Sequence, residues 1–217
     1  MPKKKTLPIR DAVRTKARIL EKATRLVAKK GFDGATTNEI IESAHINKRM
    51  LFYYFGNKKG LYRAVFIDQW GALKAEIDRA MAERLAAGEP LGVREALVAM
   101  LDILFDFMAT HHDLLRLMMW EGLEGGAISR SIWKDVRGPL FEQAVFLVRQ
   151  AQQDGIVDER VDPAQYIVSF LGAITFYFAY AHTMPDMIGT DPFSPKALAH
   201  RREQVLAIQE ATFTKRP

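Results

Sequence analysis

The chain reads as an all-α protein with a small basic head and a larger helical remainder. No segment of its 217 residues alternates apolar and polar positions with period two, and Gly and Pro fall at breaks separated by helix-length runs. The charge is unevenly placed. Residues 1–66 hold 16 Lys/Arg against 5 Asp/Glu, a net of +11, whereas the remainder carries a net of −6. Such a split implies that the two parts face different partners, and an excess that runs through a structured segment points to nucleic acid. With 48% hydrophobic and 26% charged residues the composition is that of a soluble globular protein, long enough for one large or two modest cores. The absence of Cys excludes disulfide scaffolds, thiolate zinc sites, iron–sulfur clusters and thiol nucleophiles. No export-type leader pattern opens the chain, so a cytoplasmic location is expected.

The first helix is expected over residues 11–30, where Ile19, Ala23, Leu26 and Val27 recur at helical spacing between basic residues. Gly31 follows at a position suited to a left-handed stop, behind Lys29 and Lys30, which complement the helix dipole. Thr36 and Glu39, three apart, form a capping box for a short helix carrying Ile40, Ile41 and Ala44. His45 and Ile46 make the turn. Asn47 caps a second short helix, residues 48–55, which Gly56 closes. Asn57 caps a long helix from Lys58 to about Ala87, ended by Gly88 and Pro90.

Two short helices joined by a tight turn behind a longer one make a helix-turn-helix. The second short helix opens on Lys48-Arg49 and closes on Phe52-Tyr53-Tyr54-Phe55. Helical spacing sends Leu51 and Phe55 to the core with Ile46, leaving Lys48, Arg49, Met50, Tyr53 and Tyr54 for the surface. In such a unit the N-terminal side chains of the second helix meet base edges. Lys48 or Arg49 suits guanine O6/N7, and Met50 suits a thymine methyl. Thr37 and Lys58 each open a helix, where unpaired N–H groups favour a phosphate, and Asn38 stands beside Thr37. Lys3-Lys4-Lys5 reads equally as an idle tail or as a salt-sensitive arm.

The motifs Thr36-Thr37-Asn38-Glu39-Ile40-Ile41 and Asn47-Lys48-Arg49-Met50-Leu51-Phe52-Tyr53-Tyr54-Phe55-Gly56-Asn57-Lys58-Lys59-Gly60-Leu61 resemble the DNA-binding head of the TetR family of transcriptional regulators. The resemblance spans residues 14–66. It implies an all-helical homodimer with a three-helix reader head and a C-terminal domain that binds an effector, most often a repressor released from its operator by a small ligand. It also implies that Tyr53 and Tyr54 lie at the groove edge or on phosphates, and that Thr37 and Lys58 contact phosphate. The expected division is residues 1–57 for the basic tail and reader head, and residues 58–217 for effector binding and dimerisation, with the helix from Lys58 joining them.

Beyond Pro90, helices are expected over residues 92–110, 114–121, 129–154 with a kink or restart at Pro139, 163–182 and 195–213. Residues 163–185 carry no formal charge, yet polar side chains within and acidic flanks argue against a membrane span. A helix apolar on most sides is buried in a core or an interface. The family precedent favours a dimer interface of the last two long helices, formed by Ile167, Phe170, Gly172, Ile174, Val205 and Ile208. Met and aromatic residues are individually core-like. Collectively, Phe105, Met108, Leu115, Met119, Trp120, Glu121, Trp133, Phe141, Phe176 and Tyr177 suggest a largely apolar effector pocket, in which an inward-facing Glu121 or Asp102 would recognise a cation. His111 and His112 lack metal-site spacing and suit the end of a helix. No metal or cofactor is expected, and no enzyme signature such as H-E-x-x-H, G-x-S-x-G or a P-loop is found. The competing class is a helical small-molecule-binding or protein-interaction module whose basic head serves a partner other than DNA.

Overall fold

The computed structural model describes residues 9–88 and 92–213. The Lys3-Lys4-Lys5 tail lies outside them. Eleven α-helices are described: α1 (Ile9–Gly34), α2 (Thr37–Ser43), α3 (Lys48–Phe55), α4 (Lys58–Ala86), α5 (Val93–Thr110), α6 (His112–Leu123), α7 (Ala127–Ser131), α8 (Gly138–Gln153), α9 (Pro163–Ala179), α10 (Pro185–Ile188) and α11 (Pro195–Ala211). A π-helical turn, Trp133–Arg137, precedes α8, and a 3-10 turn, Ala181–Thr183, follows α9. Among the described residues the only β-type pairing is an isolated bridge between Val157 and Phe213. No described helix is long and apolar enough to cross a membrane.

Several expected boundaries moved, and for three of them the local reason is visible. Gly31 takes a positive φ of 72°, but with ψ −178° it is extended rather than left-handed helical, and one further helical turn follows it, closed by Ala35 N–H on Gly31 O at 3.2 Å. The expected helix 129–154 breaks a turn before Pro139. Pro139 has no N–H for the carbonyl a turn back, and the backbone widens into the π turn before restarting with proline in the first turn of α8. The helix expected to reach His182 ends at Ala179, where Tyr180 caps it and a 3-10 turn takes over.

The helices form two packing units. One contains the chain up to Gln69 together with Arg116–Ile132; the other contains Trp70–Leu115 and the residues from Trp133 onward. In the N-terminal unit Ile19, Ala23, Val27, Ile40, Leu51, Leu61, Val65, Phe66, Leu117 and Ile132 are buried. Arg116 Nε and Trp120 Nε1 both donate to Ala28 O, at 2.8 and 3.2 Å, tying the end of α6 to α1. In the C-terminal unit α5, α8, α9 and α11 pack on one another around Leu97, Leu101, Met108, Val148 and Ile174. Each such fully buried side chain contributes roughly 1.5–3 kcal/mol. His111 caps α5 with its ring stacked on Phe107 at 3.8 Å, and His112 Nε2 is 2.8 Å from Ala109 O, so both imidazoles serve the end of that helix.

Candidate nucleic-acid interface and ligand cavity

The reader head is positioned by its caps. Glu39 N–H donates to Thr36 Oγ1 at 3.2 Å and Thr36 N–H donates to Glu39 Oε2 at 3.1 Å, completing the capping box of α2. Lys30 pairs with the same carboxylate, and its hydrogen bond, followed by those from Thr36, holds Glu39 at a pKa of about 2. The chain then turns through His45, in the left-handed region at φ 49°. Asn47 Oδ1 accepts from Met50 N–H at 2.8 Å and so sets the first turn of α3.

That turn presents Lys48 and Arg49 to solvent, with Met50 half-buried beside them. Leu51 and Phe55, one turn apart, are buried, which fixes the roll of α3 about its axis. Tyr53 is 82% exposed, and its ring meets that of half-buried Tyr54 edge-on at 5.2 Å. Thr37 is half-buried at the first position of α2, and Asn38 is exposed. Asn57 Oδ1 accepts from Gly60 N–H at 2.8 Å, so it caps α4. Lys58 is half-buried, its ammonium 4.6 Å from the Phe32 ring and 3.4 Å from Asp33 O. Sequence spacing did not reveal this tether, because it joins residues 25 apart in the chain.

The C-terminal unit holds a partly open cavity of about 120 Å³ lined from α4, α5, the π turn, α8, α9 and α11. Of the ten residues expected to surround a common space, Trp133 and Phe141 line it, with ring centroids 5.8 Å apart. Met119, Trp120 and Glu121 belong to the N-terminal unit. There Glu121 is buried and accepts from Ser129 N–H at 2.8 Å, so its carboxylate organises the start of α7. Asp102 is bound by Arg202 at 2.5 and 2.6 Å. Phe105, Met108 and Leu115 are buried but absent from the cavity wall, and Phe105 packs on Phe178 at 5.2 Å. Tyr177 is buried with its hydroxyl donating to Pro192 O at 2.8 Å. Phe176 faces outward, 53% exposed.

Most of the wall was not in the expected set, its polar and aromatic members Trp70, Arg137, Tyr166 and Gln209 included. The spacing of Trp70, Leu73 and Ile77 marks an apolar stripe on α4, but no local pattern distinguishes a cavity wall from a filled core. The residues assigned to an interface divide likewise. Phe170, Ile174 and Val205 are buried within the chain, and Ile167 lines the cavity with Phe170. Gly172 and Ile208 are exposed. The outward stripe of α9 and its cap contains Gly172 together with Val168, Phe176 and Tyr180, at four-residue spacing. An almost uniformly apolar helix has no hydrophobic phase from which to read this.

An exposed cationic first turn on a helix held by caps and a buried Leu–Phe pair, carried by a helix-turn-helix within an all-helical chain, defines a DNA-binding regulator. Residues 19–65 match the family model described as bacterial regulatory proteins, tetR family, and residues 94–208 match the tetracyclin repressor-like C-terminal domain. The chain belongs to the TetR family of transcriptional regulators. It is 31% identical over 165 residues to the HTH-type transcriptional repressor SCO4008 of Streptomyces coelicolor, covering 76% of this chain and 78% of that protein. It is 26% identical over 194 residues, 87% of each chain, to the HTH-type transcriptional repressor NicS of Pseudomonas putida. Among solved structures, the transcriptional regulator SCO4942 of Streptomyces coelicolor superposes with a TM-score of 0.70 at 23% identity, covering 93% of this chain and 99% of that one. The family and these relatives are transcriptional regulators rather than enzymes.

Proposed function

We propose that the chain represses transcription as a homodimer on an inverted-repeat operator and is released by a small, largely apolar ligand. The observation that carries the DNA reading is the first turn of α3: Lys48 and Arg49 are solvent-facing on a backbone fixed by Asn47. In this reading Lys48, Arg49 and Met50 meet base edges, Tyr53 and Tyr54 the groove edge, and Thr37, Asn38 and Lys58 the flanking phosphates. The head comprises residues 1–57 and the remainder binds ligand and dimerises. The exposed apolar stripe of α9, with Ile208 of α11, supports association of two copies, since a soluble monomer rarely leaves such a stripe uncovered. The cavity of the C-terminal unit supports the ligand. By linkage, operator and ligand weaken each other's binding equally.

The test is selection of bound duplexes from a random pool by the purified full chain at near-physiological salt. Recovery of an inverted repeat with half-sites about one helical turn apart is the expected result. Binding without any enriched motif would overturn sequence-specific recognition and leave only a basic helical surface.

A further inference from the structure

The geometry points to Glu124 as a positioning residue for DNA binding: with Arg116 and Trp120 it fixes a break in α1, and the segment just past that break seats the ammonium of Lys58. This role rests on the reading of Lys58 as a phosphate contact and supplies the group that prepares it.

The break is at Gly31, whose φ of 72° and ψ of −178° lie outside the helical region. In an unbroken helix Phe32 N–H would donate to Ala28 O, four residues back. Gly31 stands between them and turns them apart, so each needs another partner. Both find it on α6 and its continuation. Ala28 O accepts from Arg116 Nε at 2.8 Å and from Trp120 Nε1 at 3.2 Å. Phe32 N–H donates to Glu124 Oε1 at 3.2 Å. Arg116, Trp120 and Glu124 are spaced by four, and Glu124 N–H on Trp120 O at 2.9 Å carries the helical spacing to the third of them. One stripe therefore serves both halves of a severed helix bond, with donors for the carbonyl and an acceptor for the N–H. The fit is close, because a Cβ on Gly31 would stand 2.8 Å from the Trp120 ring and 3.1 Å from Glu124 Oε1.

Past the break, Phe32 supplies the ring and Asp33 the carbonyl on which the Lys58 ammonium rests, at 4.6 and 3.4 Å. The Phe32 ring also meets Tyr62 edge-on at 4.8 Å, one turn along α4 from Lys58. Glu124 holds the backbone of Phe32 itself, so it sets where this seat stands. An ammonium has three donors, and one spent on Asp33 O leaves two for a phosphate. A lysine held in this way has less rotamer freedom to lose on binding. By charge alone, removing a carboxylate from a basic head should raise affinity for DNA. Positioning predicts the opposite sign.

The random duplex pool serves as the probe, because a phosphate contact acts on every sequence. Fluorescence anisotropy with the full chain over a salt series should show Glu124→Ala binding about three- to tenfold more weakly, the scale of ordering one side chain, with a shallower salt slope. Glu124→Gln keeps an acceptor oxygen and should stay within about twofold of the parent. Lys58→Ala added to Glu124→Ala should cost less than it costs in the parent. Affinity unchanged or raised in Glu124→Ala, losses that simply add, or Glu124→Gln falling as far as Glu124→Ala would each overturn the inference. Glu124 is exposed, so its substitution leaves the core intact. Should Glu124→Ala nevertheless fail to fold, Phe32→Leu, which takes away the ring but not the tie, must give the same loss and the same non-additivity. Lys58→Ala without effect in the parent would overturn the phosphate reading and this role with it, whereas an effect there with none in Glu124→Ala would overturn this role alone.

Discussion

Asn47 caps α3 through Met50 N–H and stands next to Lys48 and Arg49, the solvent-facing cations proposed to meet DNA. Capping and charge separate by substitution. Asn47→Ala removes the cap and should cost about 1 kcal/mol in urea unfolding. Asn47→Asp keeps the cap, so stability should stay near that of the parent while operator affinity falls, because a carboxylate now faces phosphate. Equal losses of affinity in the two variants at unequal stability would show that charge at this position is irrelevant. Glu39 offers a second reading of the head. Its carboxyl, held at about 2 by Lys30 and then Thr36, contributes stability that is present above its ordinary value of 4.5 and lost as pH falls towards 2. A carboxyl NMR titration should show a midpoint near 2, raised by Lys30→Gln; an ordinary midpoint in the parent would mean the box is open in solution. Both caps are legible in the sequence, because a cap involves residues only three apart.

At the scale of elements, the join between α1 and α6 within the N-terminal unit is close-packed. A Cβ on Gly31 would lie 2.8 Å from the Trp120 ring, and its φ of 72° is strained for any other residue. Gly31→Ala should therefore destabilise the protein by about 1–3 kcal/mol, measured as a lower urea midpoint at unchanged slope. The glycine was readable as a stop. Trp120 as the side chain packed upon it was not, since 89 positions separate the two. Helix α9 shows the opposite problem: its boundaries were nearly readable, its roll was not. Phe176→Glu tests the face the structure exposes. Sedimentation should shift towards monomer at micromolar concentration, with helical content retained and operator affinity lowered at least about tenfold, because a buried charge opposes re-association. A variant that sediments as the parent would place association on another surface.

For the whole molecule, the proposed function rests on the charge division. The first 66 residues carry a net of +11 in a chain of +5. Affinity should fall steeply with salt, and single changes should sort by what they touch. Lys48→Ala or Arg49→Ala should relax base preference at their positions, by about 1–3 kcal/mol of discrimination. Lys58→Ala should instead weaken all sequences alike and reduce the salt slope by about one. Retained base preference in a Lys48/Arg49 double variant would reassign the reading helix. By itself the sequence determined the helical class, the helix-turn-helix and its caps, and the cations of α3, because each depends on residues within about one helical turn of one another. Only the tertiary structure decided which face of α9 is outward, that Arg116–Ile132 packs with the head, and that Trp70, Arg137 and Gln209 share one cavity. Those outcomes depend on the phase of helices against neighbours far along the chain, which apolar composition leaves open and close packing alone settles.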